Sequence, residues 1–270
     1  MTMTDAAAEP GPLMTGKRGL VMGVANDHSI AWGIARALAG HGATLGFTYQ
    51  GEALKRRVGP LADSVGGAFV TPCDVEDEAS LDAAFARAGE AWGGLDFVVH
   101  SIAFSDKTEL QGRYVNTTRD NFARTMVISC YSLTAVARRA AELMAGGGSL
   151  VTLTYDGSQR VMPSYNVMGV AKAALEASVR YLAADLGGRA IRVNAISAGP
   201  MRTLAGAAVK DARYVYRWTQ DNAPLRRNAS LEEVGNAGLY LLSDLSAGVT
   251  GEVHYVDAGY NVVGMRAPPA

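Results

Sequence analysis

The chain has 270 residues, 49% of them hydrophobic, with 31 glycines, two cysteines and a formal net charge of −1. That composition suits a large α/β unit with many tight strand–helix turns, and the charge gives no argument for nucleic acid or an anionic membrane as partner. Cys73 and Cys130 form no disulfide framework and lack the Cys/His company of a metal site, so both read as reduced core residues and no metal is expected. Residues 1–16 are expected to be a flexible leader. They contain neither the basic start nor the apolar run of a secretion signal, and no stretch of ~20 apolar residues follows to span a bilayer.

From there strands and helices alternate. A buried strand over 19–23 leads through a glycine-containing turn to a helix over 30–40. A strand over 43–48 is followed by a charged helix over 52–63, and a strand over 68–71 by a helix over 77–92. Next come a strand over 95–100, a long helical run over 119–144 and a strand over 148–154. A helix over 164–186, a strand over 191–196, a helix over 231–242 and a strand over 252–256 complete the pattern. This alternation predicts an α/β, doubly wound parallel sheet of about seven strands with helices on both faces, in a single domain over 17–270. Two longer interruptions, 101–118 and 198–227, stand out.

In such sheets ligands bind beyond the carboxyl ends of the strands, near the point where strand order reverses. The first loop runs from Gly23 through Ser29, Ile30 and Ala31 to Gly33 and opens a helix, whose free N–H groups and dipole can receive a pyrophosphate. Gly23 allows the tight turn. Ser29 could donate its hydroxyl to phosphate or serve as an ordinary N-cap. The glycine spacing is not the G-x-G-x-x-G fingerprint. Gln50 stands at the end of the second strand, where dinucleotide sites often carry an acid. It does not repel a 2′-phosphate, yet no Arg or Lys adjoins it, and the balance favours NADH over NADPH. Asp74 and Val75, after the third strand, fit an adenine contact, although Asp74 could equally cap the next helix.

After the fourth strand, small or apolar residues around Ile102 would let a ribose and nicotinamide lie close to the backbone. After the sixth, Gly199-Pro200 breaks the chain out of the sheet. Thr203 there could bond a carboxamide or phosphate, or simply turn the chain. Residues 204–218 are too apolar for a free loop, so the stretch near 199–222 reads as a substrate flap or as part of a subunit interface. Lys210, Arg213 and Arg217 share one face of any helix in it, to meet an acidic carrier protein or water.

Tyr165 and Lys172 lie seven residues apart on a predicted helix. At ~100° per residue they project from one face, ~10 Å apart along the axis. The lysine can swing back toward the phenol, where a cation favours phenolate and makes the tyrosine a better proton donor. A second tyrosine, Tyr155, stands ten residues upstream. A packed tyrosine and a solvated lysine on an amphipathic helix would show the same spacing.

Taken together, these residues resemble the short-chain dehydrogenases, with informative departures. The nucleotide loop is longer than usual, Ser29-Ile30-Ala31 replaces Gly-Ile-Gly, and the Tyr-to-Lys spacing is seven rather than four. With Leu-Thr-Tyr155-Asp-Gly, Met-Pro-Ser-Tyr165-Asn-Val-Met-Gly, Asn194-Ala-Ile-Ser-Ala-Gly-Pro and the stretch from Ser243 to Glu252, the chain closely resembles the NADH-dependent enoyl-acyl-carrier-protein reductases of bacterial fatty-acid synthesis. The likeness runs from about Lys17 to Met265.

It implies a Rossmann-like fold, a homotetramer, and reduction of a trans-2-enoyl thioester on acyl carrier protein, the last step of the elongation cycle; the composition and N-terminus read as those of a cytoplasmic protein. It implies Tyr155, Tyr165 and Lys172 as catalytic residues and Ser105, Tyr155 and Tyr165 at the substrate. For NADH it implies Gly23, Ser29, Ile30, Gln50, Asp74, Val75, Ile102, Lys172, Met201, Arg202, Thr203, Leu204 and Ala205. Asp156 replaces a residue that is commonly apolar or glycine, and Ser164 a common asparagine. A carbonyl reductase or alcohol dehydrogenase on the same scaffold is the rival enzyme reading, and a non-catalytic nucleotide sensor is the reading from another class.

Overall fold

The computed structural model describes residues 12–204, 206 and 210–265. Seven strands form one sheet: β1 (Arg18–Met22), β2 (Thr44–Tyr49), β3 (Phe69–Pro72), β4 (Phe97–His100), β5 (Gly148–Thr154), β6 (Ile191–Ala198) and β7 (Val253–Val256). Their order is β3-β2-β1-β4-β5-β6-β7 and every pairing is parallel. Strand order therefore reverses between β1 and β4, which opens a crevice at their carboxyl ends.

Both faces of the sheet are buried, and the pleat divides its side chains between two cores. Leu20 and Met22 of β1 face a core with α3 (Glu78–Trp92), α5 (Ser132–Leu143) and α6 (Asn166–Gly187). Val21, one residue out of phase, faces the other core with α1 (Ile30–Gly40), α2 (Gly51–Ser64) and α8 (Leu231–Leu242). This is the doubly wound, Rossmann-like architecture that the alternation predicts.

The structure refines expectation in three places. The run over 119–144 is helical as expected, but it divides into α4 (Arg119–Met126), a π-helical turn (Val127–Tyr131) and α5. Ser129 and Ser132 explain the break physically. The Ser129 hydroxyl exchanges two 3.0 Å bonds with the Phe104 backbone, and Ser132 donates back to Ile128 O at 2.6 Å. Such bonds offer the carbonyls and loop amides an alternative to the α ladder.

Second, part of the expected leader is packed. Met14 is fully buried and its N–H donates to His41 O at 2.9 Å, while residues 1–11 lie outside the described set. Third, the second long interruption contains a helix, α7 (Ala212–Asn222). No helix among the described residues is long and apolar enough to cross a membrane.

Candidate functional site

The crevice is tightest at Gly23, which has φ +97° and sits so close to β4 that a Cβ would lie 1.9 Å from Ser101 O. Only glycine meets both demands. Beyond it, α1 begins at Ser29, whose carbonyl accepts from Trp32 and Gly33 N–H. The N–H groups of Ile30 and Ala31 at the positive end of that helix have no backbone partner among the described residues, as an anion site requires.

Ser29 holds the N-cap position of α1, but not as an ordinary side-chain cap. Its side chain makes no cap bond to the helix and instead accepts from Ala25 N (3.0 Å) and Asn26 N (3.1 Å) while donating to Asn26 Oδ1 (3.3 Å). It shapes the loop. Asp74 is not the cap of α3. That is Asp77, which accepts from Ala79 N at 2.9 Å. Asp74 is bonded across the strand ends by Gln50 Nε2 at 3.0 Å, and the two form a polar edge beside Val75, which packs on the core.

Ile102 also packs on that core. Ser105 is buried with its hydroxyl inside a network: Thr125 Oγ1 donates to it at 2.9 Å and Asn121 Nδ2 at 3.1 Å. Across the crevice, Met201, Arg202 and Tyr216 line a cleft of about 210 Å³ with His28 and Ser230. Arg202 stacks over the Tyr216 ring at 4.9 Å. The Thr203 hydroxyl accepts from Gly206 N at 2.9 Å, so it turns the chain, and Leu204 is half exposed. Ala205 lies outside the described residues. A larger hollow of about 440 Å³ lies at the end of β7, lined in part by Pro224, Leu225, Tyr255 and Gly259, and none of Tyr155, Tyr165 or Lys172 borders it.

The tyrosine half of the site corrects the helical argument. α6 starts at Asn166, and Tyr165 is its N-cap rather than a residue of its face. Its neighbours Ser164 and Asn166 both have left-handed backbones, with φ 54° and 39°. Such conformations cost of order 1–3 kcal/mol and persist only where surroundings enforce them. The surroundings are visible. Ser164 Oγ donates to Asp211 Oδ2 at 2.5 Å beside α7, and Asn166 Nδ2 donates to Glu109 O at 3.2 Å. Tyr165 packs against Leu110, Val167 and Met168 and meets Tyr155 edge-on, ring centroids 5.2 Å apart. A Cβ on Gly157 would lie 2.5 Å from the Tyr165 ring, so the bare glycine is what lets the two tyrosines close.

The expected lowering of the Tyr165 hydroxyl by an ammonium does not hold. Burial pushes it above the usual tyrosine range, with Tyr155 and Glu176 adding in the same direction. Lys172 is buried and donates to Leu153 O at 2.7 Å. Burial brings its ammonium down to about 8, opposed by Cys130 and Glu176. The Tyr155 hydroxyl is sealed from water without a hydrogen-bond partner, and burial, then Tyr260, Asp156 and Asp257, raise it. Asp156 does not compete with it for ligands. Its carboxylate pairs with Arg160 at 3.2 Å, and Arg160 also reaches Asn261 O.

Two buried groups escaped the sequence reading. Glu176 stands one helical turn past Lys172 and accepts from Thr154, Ser158 and Gln159. The only signal for it was its i+4 place after the lysine. His100 is fully buried between Thr152 Oγ1 and Ser132 Oγ, each at 2.9 Å. Because Ser132 gives its proton to Ile128 O, it accepts from Nε2–H, and Nδ1 accepts from Thr152. Burial pushes this imidazole down to about 3, so it stays neutral. No signal in the sequence separates such a histidine from an exposed one. Among the described residues no cluster of His, Cys, Asp or Glu could hold a metal ion.

Comparison with known proteins fits this geometry. The family described as enoyl-(acyl carrier protein) reductase matches residues 23–261. An NADH enoyl-acyl-carrier-protein reductase of Rhizobium meliloti is 69% identical over 253 residues, covering 94% of each chain. The crystal structure of FabI from Candidatus Liberibacter asiaticus superposes with a TM-score of 0.93 at 59% identity, over 96% of this chain and 100% of that one. The Anaplasma phagocytophilum reductase, solved in complex with NAD, gives 0.93 at 57% identity, over 96% and 99%. This chain belongs to the enoyl-(acyl carrier protein) reductase family.

Proposed function

We propose that this protein reduces the trans-2 double bond of enoyl thioesters carried on acyl carrier protein, with NADH, in the last step of the fatty-acid elongation cycle. The observation that carries the reading is the edge-on Tyr155–Tyr165 pair, with Lys172 bonded to Leu153 O on β5 just before Tyr155. β5 lies next to β4, which borders the crevice at Gly23.

The residues present fit the cofactor. The cradle at Gly23 leaves no room for a side chain. The free Ile30 and Ala31 N–H groups suit its pyrophosphate, Gln50, Asp74 and Val75 its adenosine, and Ile102 and residues 201–205 its nicotinamide half. Lys172, with donors to spare beyond Leu153 O, suits the nicotinamide ribose. Bound NADH supplies the hydride that reduces the β-carbon.

The protein's part is electrostatic. Negative charge develops on the thioester oxygen, and a phenol that keeps its proton is the right partner for it. Burial holds the Tyr165 hydroxyl in that protonated state, so it donates a hydrogen bond to the oxygen as the charge appears. Tyr155 and Ser105 are the further substrate contacts of this reading. α7 and the residues before it form the flap. The apolar side chains Tyr214 and Trp218 (57% and 49% exposed) suit an aliphatic chain, and Lys210, Arg213 and Arg217 suit an acidic carrier protein.

We further read residues 17–270 as one catalytic unit that works in the cytoplasm as a homotetramer. Phe122, Val127, Tyr131 and Tyr181 (38, 41, 45 and 76% exposed), on α4, the π-helical turn and α6, are apolar side chains of the kind a subunit contact covers. Loss of NADH absorbance with a crotonyl thioester, and none with simple ketones, is the expected assay result. Activity on ketones alone would return the protein to the carbonyl reductases.

A further inference from the structure

Glu176 is 2% exposed and makes no ion pair with Lys or Arg among the described residues. A buried carboxylate is tolerated only when its oxygens are well bonded. Its bonds are short and charge-assisted: Thr154 Oγ1 at 2.7 Å, Ser158 Oγ at 2.5 Å and Gln159 Nε2 at 2.7 Å. All three donors lie within 154–159, the stretch that carries Tyr155. Lys172 holds the carbonyl just before it, Leu153 O. Tyr155 has no other anchor at its polar end, since its buried hydroxyl lacks a partner.

We propose that Glu176 is the positioning residue for Tyr155: by fastening both ends of the 154–159 turn to α6, it sets where the Tyr155 hydroxyl meets a thioester. The inference rests on the enoyl-reductase reading of the site. A core anchor chosen only for stability would have no reason to gather its donors from the two sides of one tyrosine. The adjacent Asp156 leaves that task to Glu176, because its own carboxylate turns to Arg160. The Gly157 gap that receives the Tyr165 ring lies in the same turn, so loosening the turn disturbs both rings.

The test combines amide hydrogen exchange over 154–160 with steady-state kinetics on a crotonyl thioester. Glu176→Ala should speed exchange in that segment and lower kcat/KM for the thioester about tenfold or more. Glu176→Gln keeps acceptors for the two hydroxyls and should restore most of the loss. In a Tyr155→Phe background, Glu176→Ala should add less than about twofold, because the two act through one group. Should Glu176→Ala fail to fold, the double variant Ser158→Ala/Gln159→Ala removes two of the same bonds from the less buried side and should give the same pattern. Unchanged exchange, or losses that multiply with Tyr155→Phe, would each overturn the proposal. If the wild-type protein does not turn over the thioester, the reading of the function fails, and the exchange result alone decides whether Glu176 holds the turn.

Discussion

Along β1 to β3 the site is made of backbone N–H groups, a glycine and the Gln50–Asp74 bond, which lies open to solvent. Along β5 and α6 it is made of buried ionisable groups, Lys172 and Glu176, and two tyrosines raised by burial. Exposed polar groups cost little to fold and suit a hydrated ligand that must come and go. Buried ones are costly, and the fold bears that cost before any substrate arrives. What is gained is a fixed set of dipoles that need not reorganise when charge develops. The contrast implies graded binding effects from changes in the first region and steep rate effects from changes in the second.

The steepest effect belongs to Tyr165. Tyr165→Phe removes the donor and leaves the ring contacts, so kcat should fall by two to three orders of magnitude, about 3 kcal/mol in activation energy. NADH Kd, followed by fluorescence, should stay near wild type. A full rate in this variant would erase the distinction between the two regions. Gly23→Ala is the largest change expected on the other side. Its Cβ would meet Ser101 O at 1.9 Å from a backbone at φ +97°. A left-handed non-glycine residue alone costs about 1–3 kcal/mol, so the melting temperature should drop and NADH binding should be lost with it.

The fold was legible because its two strongest signals are local. Alternating apolar strands and amphipathic helices located all seven strands, and the ends of α1, β5 and α8 were placed to the residue. Gly23 was legible for the same reason, since a strand followed by glycine and a helix implies a tight turn. The tyrosine turn was not. Seven residues at helical pitch gave a plausible shared face for Tyr165 and Lys172, but Ser164 and Asn166 take left-handed conformations held by bonds to Asp211 and Glu109 O. Those partners lie 47 and 57 residues away in sequence, and no local propensity encodes them. The direction in which the Tyr165 hydroxyl is shifted was not legible either: proximity to a lysine suggested lowering, whereas burial, a property of the assembled fold, raises it.

Lys172 connects both regions and separates them by pH. Its ammonium sits at about 8 in the folded protein against an ordinary 10.5. Below about 8 it is charged and can hold a ribose, and as pH rises through that value the contact is lost, so NADH affinity should fall. Stability moves the other way. Between about 8 and 10.5 the unfolded chain holds the proton that the folded chain has released, so this group's contribution rises with pH there. Lys172→Met should abolish both trends. If NADH affinity of the wild type stayed flat across that range, the ribose assignment would fall.

The smallest expected effect tests the exposed region at its plainest. Gln50→Ala deletes a 3.0 Å bond to Asp74, and Gln50 is exposed, so water replaces the lost partner at once and stability should change by less than about 0.5 kcal/mol. Binding is a stricter measure, because an adenosine laid on that edge would take the place of the water. A net hydrogen bond is worth about 1 kcal/mol, which predicts a rise in NADH Kd of about fivefold and no change in kcat at saturating NADH. A large fall in kcat would mean that the polar edge at Gln50 is coupled to the tyrosines across the sheet, and the two regions would then have to be treated as one.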